Sequence, residues 1–199
     1  MRTKVNKKKK LSLSLETISE GTSVERELEI YALLDDLSVL TQADAVEQQE
    51  QFSIVPVIGE GHKGSTRVRK TINKDGTTFI HTTKVRQTDG SNLETEEETT
   101  EDMFNAYKAL ANDGLIKDRF FFPVKGHDLL WEVDVFPQDN GEYAQWVKID
   151  LEIPEGVVLK ELPELPFPYK EKIVKSNDPE VKKRIGKLYK DFFSFKKGN

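Results

Sequence analysis

The sequence predicts an α+β chain made mainly of antiparallel β-strands, closed into a barrel with a partly polar interior and a few flanking helices. Three observations predict it. Short runs rich in Val, Ile, Thr and Phe are separated by turn residues such as Asn73-Lys74-Asp75-Gly76 and Thr88-Asp89-Gly90, which suit antiparallel neighbours. Charged residues make up 33% of the 199-residue chain and hydrophobic ones 36%, too polar for a wide and wholly apolar core. Within the strands, like charges recur at i and i+2, so each pair shares one sheet face.

The elements follow in order. Residues 1–22 read as a flexible basic arm, with Lys7–Lys10 a run of like charge and Leu11–Leu15 a short edge strand. Val24–Leu40 carries both helical spacing (Val24, Leu28, Tyr31, Leu34, Leu37) and strand alternation (Glu25, Glu27, Glu29). A strand over 24–34 followed by a helical stretch to about residue 45 reconciles the two patterns. Gln51–Ile58, Ser65–Ile72, Thr77–Arg86 and Asn92–Thr99 read as strands of a meander. A helix over Thr100–Asn112 takes Thr99 or Thr100 as its cap, an apolar stripe of Met103, Tyr107 and Leu110, and Asn112-Asp113-Gly114 as its stop. Strands resume at Ile116–Val124, Asp128–Phe136 and Glu142–Ile153. The proline-rich stretch 154–169 is loop, and Asp178–Phe195 is a helix with Pro179 in its first turn. The domain thus runs over 23–169, and 170–199 is a Lys-rich helix and tail.

Composition excludes several function classes. The absence of cysteine removes disulfides, thiolate catalysis and Cys-ligated zinc or iron–sulfur centres. His62, His81 and His127 lack the spacing of a zinc site; His127 reads as incidental in a turn, and His81 as lumenal but without a partner. No apolar run reaches the ~20 residues that span a bilayer, and Leu11–Leu15 is too short and polar for a signal-peptide core, so a cytoplasmic, membrane-free protein is expected. The net charge of −5 argues against a general nucleic-acid binder, although the Lys-rich ends leave a nucleic-acid or protein contact open there.

The charge pairs are the informative feature. Glu27/Glu29, Glu94/Glu96/Glu98, Glu132/Asp134 and Asp150/Glu152 put acids on one face of their strands; Arg67/Arg69 and Lys117/Arg119 put bases there. A solvated outer surface accounts for any one pair. The segregation of acidic and basic strands fits a lumen where the charges meet one another or a ligand. Carboxylate pairs suit Mg²⁺ or Mn²⁺, and arginines suit phosphate oxygens.

The ordered series Glu27-Leu28-Glu29, Thr66-Arg67-Val68-Arg69, Thr83-Lys84, Glu94-Thr95-Glu96, Lys117-Asp118-Arg119, Trp131-Glu132-Val133-Asp134-Val135-Phe136 and Asp150-Leu151-Glu152 resembles the CYTH superfamily. That group holds thiamine and inorganic triphosphatases, class IV adenylyl cyclases and related RNA triphosphatases. The resemblance spans about 24–167. It implies an eight-stranded barrel of the triphosphate-tunnel type and a metal-dependent hydrolase acting on inorganic, nucleoside or thiamine triphosphate, with cyclisation the rarer outcome. Arg67, Arg69, Lys84, Lys117 and Arg119 would hold phosphates. Glu27, Glu29, Asp150 and Glu152 would hold Mg²⁺ or Mn²⁺, and Glu94, Glu96, Glu132 and Asp134 would line the lumen. Glu29, Lys84 and Arg69 would be the catalytic groups. The chain departs from the family pattern at Tyr31, where a lysine is usual, at Lys148, where an acid is usual, and before Glu94, where an arginine is often found. These departures open an alternative: a barrel without turnover that binds a nucleotide or polyphosphate, or serves as a protein-interaction module. Lys84 also has a plainer reading as an exposed strand lysine. Trp131, Phe136 and Phe120–Phe122 read as packing residues, and Glu97, Glu98 and Glu101 as a solvated approach to the helix.

Overall fold

The computed structural model describes residues 21–59, 62–86, 92–111, 113–154 and 156–193. The expected edge strand Leu11–Leu15 and the turn Thr88–Gly90 lie outside the described residues, as does nearly all of the basic arm. Nine strands are present among the described residues: β1 (Gly21–Leu33), β2 (Ala45–Gly59), β3 (His62–Asn73), β4 (Gly76–Arg86), β5 (Asn92–Glu98), β6 (Asp113–Pro123), β7 (Leu130–Val135), β8 (Trp146–Pro154) and β9 (Glu171–Val174). Two α-helices, α1 (Glu101–Leu110) and α2 (Pro179–Leu188), accompany them, with a 3-10 turn at Leu37–Gln42 and a π-helical turn at Tyr189–Phe193. No helix among the described residues is long and apolar enough to cross a membrane.

All the strands join one antiparallel sheet in the order β5-β4-β3-β2-β6-β7-β8-β1-β9. The first residues of β1 (Gly21–Glu25) also pair with β5, which stands at the other end of that order. The sheet therefore curls, and contacts that skip a strand show which way. Arg67 on β3 reaches Glu94 on β5, and Arg119 on β6 reaches Asp150 on β8. The face carrying these side chains is the inner one.

Local sequence explains several elements. The β3–β4 hairpin turns at Lys74-Asp75, where Asn73 accepts a hydrogen bond from the Asp75 N–H and Gly76 takes φ 138°, a left-handed value that only glycine adopts freely. Thr100 caps α1 by accepting from the Met103 N–H, and Glu101 and Asp102 suit the positive end of the helix. Asp178 caps α2 in the same way, with Pro179 in its first turn.

The apolar core lies outside the curl. Ile30, Trp131, Val133, Val147, Ile149 and Leu151 point outward from β1, β7 and β8 and are covered by Leu34, Leu40 and Phe167. Phe52 and Val68 lie under Phe104 and Ala111, at and just beyond α1. A third cluster joins Tyr31 and Phe136 to Ile173, Ile185, Leu188 and Phe193, so α2 and the π-turn pack across one end of the curl.

Five expectations need correction. The sheet curls without closing into the expected barrel, since among the described residues only the short stretch Gly21–Glu25 of β1 reaches β5. The described residues hold nine strands, because Glu171–Val174 pairs with the free edge of β1 in a stretch read as helix and tail. The helical stretch to residue 45 is a 3-10 turn capped by Asp36. β2 begins at Ala45, six residues early, because its inward side chains are the polar Glu47, Gln49 and Gln51. His81 is on the outer face, stacked on Tyr107 with ring centroids 5.5 Å apart. Trp131, Phe122 and Phe136 are buried packing residues, as expected.

Candidate functional site

Register assembles the site. In β1 and β8, Glu29 faces Asp150, Glu27 faces Glu152 and Tyr31 faces Lys148. β7 places Asp134 opposite Lys148 and Glu132 opposite Asp150, and β6 places Arg119 opposite Asp134. On the other wall, Thr82 of β4 lies between Arg67 and Glu96, and Lys84 faces Glu94. Side chains that face one another across a ladder share a sheet face. One inner surface thus gathers Glu27, Glu29, Arg67, Arg69, Lys84, Glu94, Glu96, Lys117, Arg119, Glu132, Asp134 and Asp150. Glu152 belongs to the same face but is exposed. Lys84 is not an exposed strand lysine: its ammonium lies 2.7 Å from Glu94 Oε2 and 3.9 Å from Glu27 Oε2. Glu97, Glu98 and Glu101 are exposed.

Two walls differ in how their charges are satisfied. On the β6–β7–β8 wall, Arg119 donates through Nε to Asp134 Oδ1 at 2.6 Å, through Nη2 to Asp134 Oδ2 at 2.9 Å and through Nη1 to Glu132. Lys117 donates to the same Asp134. Burial alone would push the Asp134 carboxyl up; Arg119 and then Lys117 outweigh it and hold the group well below the usual carboxylate range. Burial, reinforced by the neighbouring Arg119, pushes the Lys117 ammonium down to about 7. Glu132 is raised, chiefly by burial.

On the β3–β4–β5 wall the contacts are sparser. Arg67 Nη2 donates to Glu94 Oε1 and Arg69 Nη2 to Glu96 Oε1, each at 3.2 Å, and Thr82 Oγ1 donates to the same Glu96 oxygen at 3.0 Å. The Nε groups of both arginines are shielded from solvent and meet no acceptor among the described residues. Buried donors of this kind are costly unless an acceptor arrives.

Glu27, Glu29 and Asp150 form a third group, with one oxygen of each within 4.8 Å of the others. Three carboxylates suit a hard divalent ion. The Lys148 ammonium, however, engages all three: it donates to Asp150 Oδ2 and lies 3.7 Å from Glu29 Oε2 and 3.9 Å from Glu27 Oε1. With that cation among them, the residues present do not fit a resident metal. Burial works against charge on Lys148, but Asp150 and Glu29 prevail and its pKa is raised.

Sequence reasoning missed four contributors. Thr82 and Gln49 are neutral inner-face residues; i+2 counting from Lys84 and from Glu47 would have found them. Lys175 donates to Glu29 Oε2 at 2.7 Å, and the Tyr189 hydroxyl lies 3.3 Å from that of Tyr31. Both come from the C-terminal segment, and no local signal points to them. Where the charged run ends, a cavity of about 410 Å³ opens between Gln51, Ser53 and Leu115 on the sheet and Tyr189, Lys190 and Phe193 on the C-terminal cover.

No protein-family profile and no curated protein matches the chain. Among solved structures it is similar to the PH1819 protein of Pyrococcus horikoshii OT3, at 14% identity over 87% of this chain and 95% of that one, with a TM-score of 0.43. It is also similar to a conserved hypothetical protein of Pyrococcus furiosus, at 15% identity over 83% and 89% with a TM-score of 0.40. A third is HpAC1 of Hippeastrum, named for adenylyl cyclase and described as having a dominant triphosphatase activity, at 12% identity over 87% and 92% with a TM-score of 0.40. At these TM-scores the likenesses carry no argument, and the chain is assigned to no family.

Proposed function

We propose that β1–β8 form a tunnel of the CYTH type that binds a triphosphate chain along its inner face and hydrolyses the terminal phosphoanhydride. One observation carries this reading: Arg67 and Arg69 each hold a buried Nε–H that meets no acceptor among the described residues, side by side on the inner face of β3. A guanidinium fork presents donors in the spacing of phosphate oxygens, so a polyphosphate supplies what the protein leaves unmet. Lys84 and Lys117 extend the same basic path across the lumen, while Arg119 is engaged by Asp134 and Glu132. Magnesium or manganese belongs in this reading to the substrate, a metal–triphosphate, because Mg²⁺ is ordinarily held largely by substrate phosphates and water.

In the hydrolysis, water attacks the terminal phosphorus, the bridging P–O bond breaks, and the products are phosphate and diphosphate with release of a proton. The chain's own work is positioning and charge neutralisation, which supply most of the acceleration in phosphoryl transfer. Arg67 and Arg69 orient the phosphates through their free N–H groups, and Lys84 and Lys117 offset the growing charge. Glu29 is tied to Tyr31, Lys148 and Lys175, which fixes its orientation.

A second reading, binding without turnover, is favoured by Lys148, which occupies the space among the three carboxylates. One assay series decides. Phosphate release from inorganic triphosphate, ATP and thiamine triphosphate with Mg²⁺ or Mn²⁺, lost in Arg69→Met, supports hydrolysis. Thermal stabilisation by triphosphate without release supports the binder. A protein that neither releases phosphate nor is stabilised refutes both.

A further inference from the structure

Like-charged carboxylates stand directly opposite one another where β1 meets β8: Glu29 against Asp150 and Glu27 against Glu152. Such pairs repel across a ladder and need a cation. The next rung toward the α2 end is Tyr31 against Lys148. We infer that Lys148 is a built-in cation that takes the place of a divalent metal at Glu27, Glu29 and Asp150.

The geometry argues it from both sides. A lysine only 13% exposed cannot keep its charge without carboxylate partners, and Lys148 has three within 4 Å. Those carboxylates in turn each meet a second cation: Lys84 lies 3.9 Å from Glu27, Lys175 2.7 Å from Glu29 and Arg119 3.7 Å from Asp150. A divalent ion entering the cluster would stand against an ammonium held by the same oxygens. Tyr31 completes the arrangement without adding charge. Its hydroxyl donates to Glu29 Oε1, and its ring is fixed against Phe193, centroids 5.9 Å apart. Glu29 Oε2 is thereby left to Lys148 and Lys175. Position 31 supplies a hydrogen bond and position 148, its partner across the ladder, supplies the charge. The inference stands apart from the choice of anion, because it concerns only what neutralises these carboxylates.

The test is a Mn²⁺ titration of the full chain, following free Mn²⁺ by electron paramagnetic resonance, for the wild type, Lys148→Gln and Lys148→Glu. Expected is no saturable Mn²⁺ binding by the wild type in the micromolar range. Both variants should bind at least about tenfold more tightly and gain thermal stability with Mn²⁺, because each tenfold in affinity for the folded state is added stability. Equal affinity in wild type and variants overturns the inference. If the variants do not fold even with Mn²⁺, the wild-type titration decides alone: saturable micromolar binding overturns the inference, and its absence upholds it. Triphosphate binding is measured on the same samples, so failure of the anion reading leaves this result separately legible.

Discussion

Removing Arg119 tests whether the β6–β7–β8 wall is held by ion pairing. Its guanidinium makes two hydrogen bonds to Asp134 and one to Glu132, and lies 3.7 Å from Asp150. Arg119→Met keeps most of the side-chain length and removes the charge. Asp134 would retain Lys117, and Asp150 would retain Lys148, but Glu132 would lose the cation to which it is bonded. Breaking a buried pair by deleting one partner costs about 3–5 kcal/mol. For a chain of this size that corresponds to a fall in Tm of roughly 6–20 °C. A domain stable by about 5–15 kcal/mol should stay folded in most of that range.

The pH dependence makes the prediction specific. In the wild type Asp134 is held below its unfolded pKa, so its contribution is present above the usual carboxylate range and is lost as pH falls through the folded value. Without Arg119, Glu132 loses the cation that most opposes burial, and its carboxyl, already raised, rises further above its unfolded value. The folded variant then binds more protons than the unfolded chain, and its stability falls as pH rises. Urea unfolding at pH 5 and pH 7 should therefore show a smaller loss at pH 5. A loss below about 1 kcal/mol at pH 7, or an equal loss at both pH values, would show that the guanidinium does not hold this wall.

Three other outcomes follow from single sites. Lys117 has a folded pKa of about 7 against an ordinary 10.5, so the unfolded chain binds the proton more tightly between those values. Relative to Lys117→Met, wild-type stability should rise from pH 7 toward pH 10, and a flat difference in urea midpoints contradicts the burial argument. A Cβ at Gly114 would come within 2.5 Å of the Phe52 ring, which is pinned by Phe104 and by Lys108 above it. Gly114→Ala should cost about 1–3 kcal/mol in urea unfolding, and a neutral result means that the ring moves freely. Phe193 is buried against Phe136 at 4.3 Å and against Tyr31, so Phe193→Ala should cost about 3–5 kcal/mol and raise amide exchange in α2. Unchanged exchange there would mean that the C-terminal cover is held by other contacts.

What the sequence made legible is local. The β3–β4 hairpin announces itself through Asn73 to Gly76, and α1 through Thr100 and its apolar stripe, because turn and cap chemistry act within a few residues. The i, i+2 charges correctly placed each side chain on its strand face. Whether that face met water or a lumen was not legible, since the choice turns on which face α1 and the 154–169 segment cover. Polar inward residues also disguised the start of β2, where Glu47 and Gln49 carry no apolar alternation and the strand reads only from Gln51. β9 is four residues long and exists through pairing with β1, some 140 residues earlier in the chain. The partnership of Tyr31 with Lys148 is a matter of register, which no single strand specifies. Both had stood out only as departures from a motif; across the ladder they are one arrangement.

The two walls divide the work, and the division can be tested by a pair of substitutions. Arg119 is 11% exposed and spends its donors on Asp134 and Glu132, so little of it remains for a ligand. Arg69 makes one 3.2 Å bond to Glu96 and keeps a buried Nε–H unmet. Burial, and then its neighbour Arg67, lowers the Arg69 pKa, the direction expected of a cation that lacks enough negative partners. An arriving phosphate oxygen therefore finds a ready donor at Arg69 but would have to strip carboxylates from Arg119. A charge-assisted hydrogen bond is worth about 1.5–3 kcal/mol, so Arg69→Met should weaken triphosphate binding by roughly ten- to a hundredfold. Its stability loss should be smaller than that of Arg119→Met, since the wild-type residue already carries an unmet donor. Isothermal titration with inorganic triphosphate, beside urea unfolding of the same two variants, measures both quantities. If Arg69→Met binds as tightly as the wild type while losing as much stability as Arg119→Met, the two walls do the same structural work and the unmet donors do not mark a phosphate site.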